Sequence, residues 1–171
     1  MTGVTVVLCP ALEHSGADSG EADRRELAAA LAGWGIPVVV PHPTPHLPEA
    51  DERLSLAAWV ADQAVAITGA QTSGPLILVC RGTANRAVPA LGFAQRASRR
   101  SVVGYVLIDG PLPDAARAGS DWPDAPVVYV ASTPGPDPSI RAAELRGWAT
   151  VAADPIEAVT SIARGWPDSM P

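Results

Sequence analysis

The 171-residue chain contains no lysine, and all 12 of its basic residues are arginine. Eighteen acidic residues outnumber them, for a net charge of −6. Nucleic-acid binding draws on clustered cations that displace counterions from phosphates. The only adjacent basic pairs here, Arg24-Arg25 and Arg99-Arg100, read as solvated helix ends, so no nucleic-acid partner is expected. Two cysteines exclude a disulfide framework. No apolar run approaches the roughly 20 residues of a membrane span, and the opening Met-Thr-Gly lacks the basic segment and cleavage site of a secretory leader. A cytoplasmic protein with no membrane partner is expected. Histidine is scarce as well: His14, His42 and His46 are the full set, all in the first third of the chain. The prolines between His42 and His46 prevent a helix that would present both to one metal, and no thiolate or acidic cluster accompanies them. Neither a metal site nor a cofactor is expected.

What is present is apolar. Hydrophobic residues make up 47% of the chain and charged residues only 18%, below the usual share of about a quarter, which excludes disorder. The length suits one domain over residues 1–171, without a separate lid. Short apolar runs at Val4–Cys9, Ile36–Val40 and Leu76–Val79 predict buried strands, Val102–Ile108 and Val127–Val130 two more, and Ala149–Ala152 a weak last one. Helical patterns alternate with them, at about Glu21–Ala32 with Leu27, Leu31 and Trp34 on one face, at about Leu54–Thr68 with Leu56, Trp59, Val60 and Ile67 buried, and up to about Ala97. Asp18 with Glu21 is a possible cap for the first. Pro89 should kink the third helix or move its start later. Asp137 or Ser139 caps the next, and Asp154-Pro155-x-Glu157 opens the last. The alternation predicts an α/β fold, a mostly parallel sheet of about six strands with helices on both faces.

Six stretches in order resemble the α/β-hydrolase superfamily. They are Val6-Val-Leu-Cys-Pro-Ala-Leu, Ala32-Gly-Trp-Gly-Ile, Pro75-Leu-Ile-Leu-Val, Val103-Gly-Tyr-Val-Leu-Ile-Asp-Gly-Pro-Leu-Pro, Trp122-Pro-Asp-Ala-Pro-Val-Val-Tyr-Val and Arg146-Gly-Trp. The resemblance implies a compact, lidless member in which Cys80-Arg81-Gly82-Thr83-Ala84-Asn85 stands where relatives read Gly-His-Ser-x-x-Gly. Gly82 then occupies the position of the nucleophile. The histidine loop expected after the last strand is missing too, since Ala149–Ala153 runs into Asp154. Without a base-activated serine there is no acyl-enzyme.

The tips of the strands are where such a fold binds ligands. His14 is the residue there with a pKa suited to acid–base work at neutral pH, set against an exposed loop histidine beside Glu13. Arg81 either holds a carboxylate or stabilises an enolate, or it pairs with Asp109. Asp109 in turn either orients His14 and contacts substrate or serves only as that ion-pair partner. The Gly82 and Thr83 amides are candidate oxyanion donors, with the Thr83 hydroxyl either a donor or a helix cap. Glu13, Ser15, Cys80 and Trp122 complete the candidate ligand contacts. Trp122 would stand at the pocket mouth unless it packs in the core. Cys80 is either the nucleophile of a shortened elbow or a buried strand-end thiol near Cys9.

Three functions follow as expectations: non-hydrolytic acid–base chemistry on a small organic molecule, such as cyclisation, isomerisation or elimination; a catalytically silent protein that binds a ligand or partner; and a cysteine hydrolase using Cys80. Divergent members of the superfamily serve in specialised-metabolite pathways, which favours the first. A homodimer is compatible with the sequence.

Overall fold

The computed structural model describes residues 3–12, 17–44, 51–72, 74–114, 121–133, 135 and 137–166. Its elements are β1 (Thr5–Leu8), α1 (Ala17–Gly33), β2 (Val38–Val39), α2 (Glu52–Gly69), β3 (Leu76–Arg81), a 3₁₀ turn (Gly82–Ala87), α3 (Val88–Ala97), β4 (Val102–Ile108), β5 (Val127–Ala131), α4 (Pro138–Leu145), β6 (Ala149–Ala152) and α5 (Pro155–Gly165). The six strands pair in parallel in the order β2-β1-β3-β4-β5-β6. From β1 the chain crosses to β2 on one side, then returns to β3 on the other. The tips of β1 and β3 therefore flank the topological switch point, where open α/β sheets take their ligands.

Strand alternation splits the core into two layers. Val6, Leu8, Ile77, Val79, Val106, Ile108, Val128 and Val130 meet Leu27 and Leu31 of α1 and Ala158, Val159 and Ala163 of α5. Val7, Leu78, Tyr105, Leu107 and Tyr129 meet Trp59 and Ile67 of α2, Val88 and Leu91 of α3 and Ala143 of α4. Each fully buried aliphatic side chain contributes about 1.5–3 kcal/mol. The continuous apolar runs of β1, β3, β4 and β5 therefore reflect burial on both faces, whereas β2, expected to be buried, and β6 are edge strands and only partly covered.

The expected helix ends shift in several places. α1 is already running at Ala17, so Asp18 lies within the helix and not before it. Trp34 falls beyond the end of α1, where it is 59% exposed and lies under Arg164 of α5 at 3.9 Å. α2 begins earlier than its apolar pattern because Asp51 accepts from the Leu54 amide. Its inner face also carries Gln63, which is fully buried. Pro89 moves the start of α3 to Val88 and puts the 3₁₀ turn before it. Asp137 and Asp154 cap α4 and α5. Arg24 is not a solvated helix end. It is 8% exposed and donates to the carbonyls of Leu8 and Pro41 at 3.1 and 2.6 Å while pairing with Glu21, tying α1 to the ends of β1 and β2.

Trp166 follows α5 and lays its ring on β4 at Gly104, filling the space that a Cβ would need. Gly104→Ala should lower stability by about 1–3 kcal/mol, read as the denaturant midpoint. The loss should shrink in a Trp166→Ala background. An unchanged midpoint for the single variant would show that the ring yields freely.

Candidate functional site

β3 continues two residues past the predicted end, to Arg81 (φ −133, ψ 145). The chain then reverses at Gly82, whose φ is +62. An L-residue in this left-handed region is strained by roughly 1–2 kcal/mol, which glycine escapes. The tip of β4 turns in the same way, with Asp109 at φ +48 and Gly110 at φ +78. A Cβ on Gly110 would lie 2.7 Å from the Gly82 Cα, so the two backbones are in direct contact. Asn85 fastens them together. It is fully buried, and its Nδ2 donates to the Asp109 carbonyl at 2.6 Å. On the outer side of Gly82 the space is free, and a Cβ added there would meet no atom within 4 Å. The geometry of a nucleophile elbow is thus kept, without a side chain at its apex.

Polar side chains link the strand tips. Asp109 accepts from the Ser132 amide at 2.8 Å and the Ser132 hydroxyl at 2.7 Å, and pairs with Arg81 at 3.2 Å. Arg81 reaches across to Asp23 of α1 at 2.6 Å. At 40% and 56% exposure this second pair is worth no more than about 1 kcal/mol. Asp137 caps Ser139 with one oxygen and accepts from the Tyr129 hydroxyl with the other, at 2.8 and 2.9 Å. The Ser139 hydroxyl donates to the Gly110 carbonyl at 3.0 Å. Burial pushes the Tyr129 hydroxyl up to about 12; the Ser139 hydrogen bond opposes this, and the Asp137 carboxylate adds to it.

A cleft of about 670 Å³ opens beside this network. Its floor is apolar, from Leu8, Leu27, Val79, Ile108 and Ile156, and Arg81, Gly82, Thr83 and Ser132 form its polar edge. Asp23, Arg24, Glu26 and Asp154 stand around it. It can accept an organic molecule of modest size over the bare elbow, with the Thr83 side chain and neighbouring amides within its walls.

The candidate residues are distributed unevenly over this site. Arg81, Gly82, Thr83 and Cys80 line the cleft. Arg81 and Asp109 form the ion pair that was the alternative to substrate binding. Glu13, His14 and Ser15 lie outside the described residues, as does His46. Trp122 is not among the residues lining the cleft. It is only 9% exposed and packs edge-on against Tyr105 and Trp148, at centroid distances of 5.6 and 5.5 Å, because the chain folds it into the opposite core layer. Cys80 lies within β3, one residue short of its end, and burial followed by the adjacent Cys9 thiol pushes its pKa well up. Neither cysteine is in a disulfide. A protonated, buried thiol is a poor nucleophile.

Three contributors escaped sequence reasoning. Arg24 carried only the signal of a basic pair. Asn85 and Ser132 are small polar residues whose meaning depends on the φ of Asp109 across the sheet. Among the described residues no group of three or more His, Cys, Asp or Glu side chains could hold a metal ion, and no helix is long and apolar enough to cross a membrane.

No protein-family model matches the chain, and no curated protein sequence matches it. Its structure is similar to that of a protein from Xanthomonas campestris pv. campestris whose description places it among hydrolases of the alpha/beta superfamily. The TM-score is 0.61 with 14% identity over 98% of this chain and 99% of that one. The chain has the α/β-hydrolase fold.

The raised Tyr129 pKa has a stability consequence. A group with a pKa higher folded than unfolded stabilises fully below the unfolded value, about 10, and loses that contribution as pH rises through the folded value. Stability should fall between about pH 10 and the folded value of about 12. Tyr129→Phe should make that fall shallower in alkaline denaturation curves; an identical slope would show that the hydroxyl is not held neutral by the fold.

Proposed function

We propose that this protein uses the α/β-hydrolase fold for non-hydrolytic chemistry on a small organic molecule bound in the cleft above Gly82. One observation carries the reading: the elbow is intact and the space over it is open, yet its apex is a glycine. A scaffold that had only lost its nucleophile has no need to keep an unfilled cleft of about 670 Å³ there. His14 is the proposed acid–base group. The apolar floor selects the body of the ligand, and Arg81 with the elbow amides meets its polar end. A cyclisation, isomerisation or elimination in a specialised-metabolite pathway fits these groups. Hydrolysis through an acyl-enzyme does not, since no hydroxyl stands at position 82.

A second reading, a binding protein without catalysis, draws support from the carboxylates. Asp109 is engaged by Arg81 and Ser132, and Asp137 by Ser139 and Tyr129, so both serve the architecture.

Thermal shifts with a panel of small ketones, lactones and carboxylic acids test binding. Compounds that stabilise the wild type should lose their effect on a Gly82→Leu variant, which fills the free space. Equal shifts in both proteins would place the ligand elsewhere. Conversion of a bound compound should drop at least tenfold in His14→Ala, within the range usual for a lost acid–base group. Retained turnover excludes His14, and binding without turnover by the wild type selects the second reading.

Gly82→Ser should fold with a loss of about 1–2 kcal/mol from its left-handed backbone and should not hydrolyse activated esters. Ester hydrolysis with accumulating acyl-enzyme would reveal a competent base and overturn the non-hydrolytic reading.

A further inference from the structure

Cys9 and Cys80 are the only cysteines, and neither is used in the function proposed above. They were brought together by the pairing of β1 with β3. Leu8 is in register with Val79, and the Cys9 amide donates to the Val79 carbonyl at 2.9 Å, which makes Cys9 and Cys80 the next pair along. Both belong to the same core layer, so both side chains leave the sheet on one side. Neighbouring strands lie about 4.7–4.9 Å apart, and a disulfide accepts Cα separations of about 4.4–6.8 Å. The Cys9 thiol lies within hydrogen-bonding reach of the Cys80 thiol. Both residues are among those lining the cleft, although their side chains lie in the core layer on the other face of the sheet.

We propose that Cys9 and Cys80 form a peroxide-oxidisable dithiol that closes to an intramolecular disulfide between the ends of β1 and β3. Cys9 is the more accessible, at 6% exposure against 1%, and is attacked first. Its sulfur takes one oxygen from hydrogen peroxide as the O–O bond breaks, giving a sulfenic acid and one water. The Cys80 sulfur then displaces the hydroxyl from Cys9, and a second water leaves with the Cys80 proton. The two thiols lose two electrons and two protons, and the peroxide is reduced to two waters. The bond would join β1 to β3 immediately before Pro10 and Arg81. The geometry that supports this is independent of any ligand.

The full chain, reduced and then exposed to hydrogen peroxide, provides the test. Under denaturing conditions both titratable thiols should be lost together. The intact mass should fall by two hydrogens and return with dithiothreitol, and non-reducing electrophoresis should show monomer only. In Cys9→Ser the Cys80 thiol should remain titratable under the same treatment. Uptake of oxygen mass at either cysteine without loss of the second thiol would overturn the proposal. So would cross-linked dimers, or two intact thiols at a peroxide concentration that fully oxidises free cysteine in the same buffer.

Discussion

At the centre of the sheet two backbones touch with no side chain between them. Gly82 leaves β3 with φ +62, Gly110 leaves β4 with φ +78, and a Cβ on the second would come within 2.7 Å of the first. Much of the cleft edge depends on this contact. It sets how closely the tips of β3 and β4 converge, and it places the Asp109 carbonyl within reach of the buried Asn85 amide. It also aims the Asp109 carboxylate at Ser132, just past the end of β5, and Arg81 on β3. A side chain at Gly110 would push the tips apart and loosen each of these bonds. The elbow is therefore a product of close backbone approach, and it persists without a catalytic residue at its apex.

The charges around the elbow are largely spent on architecture. Arg81 binds two carboxylates from two elements, Asp23 and Asp109, and Arg24 is committed to Glu21 and two carbonyls. Tyr129 and Ser139 both converge on the Gly110 carbonyl. Such a network costs little here, because most members keep some contact with water while their hydrogen bonds are met. It leaves the cleft with an apolar floor and a rigid polar edge, an arrangement suited to orienting a ligand.

The fold was legible because parallel strands buried on both faces appear as unbroken apolar runs, as β4 does at its expected residues; the less covered edge strand β6 also lies where expected, and the caps Asp137 and Asp154 stand where their helices begin. The misses share a cause. Arg24, Asn85 and Ser132 acquire their roles from partners 16 to 24 residues away, so no local pattern marks them. For Trp122 the core alternative is the one the structure places, since which face of a loop a large aromatic covers is decided by the layer it meets, here Tyr105 and Trp148. The glycine at the turn was visible directly, because Gly82 occupies a position defined by the strand before it. That Gly82 keeps the left-handed backbone of an elbow was not visible, as glycine adopts either hand at little cost.

The pairing of β1 with β3 has a consequence for how the molecule assembles. The two strands are separated by α1, β2 and α2, so their contact closes a long loop and is among the slower events available to a chain of this topology. Leu8 and Cys9 at the end of β1 and Val79 to Arg81 at the end of β3 all line the cleft. The cavity consequently comes into being only when that long-range pairing completes, and local helix formation alone cannot create a partial version of it. Occupancy of the cleft is in this sense a report on the whole sheet, because a chain that has not joined its first and third strands has no site to fill.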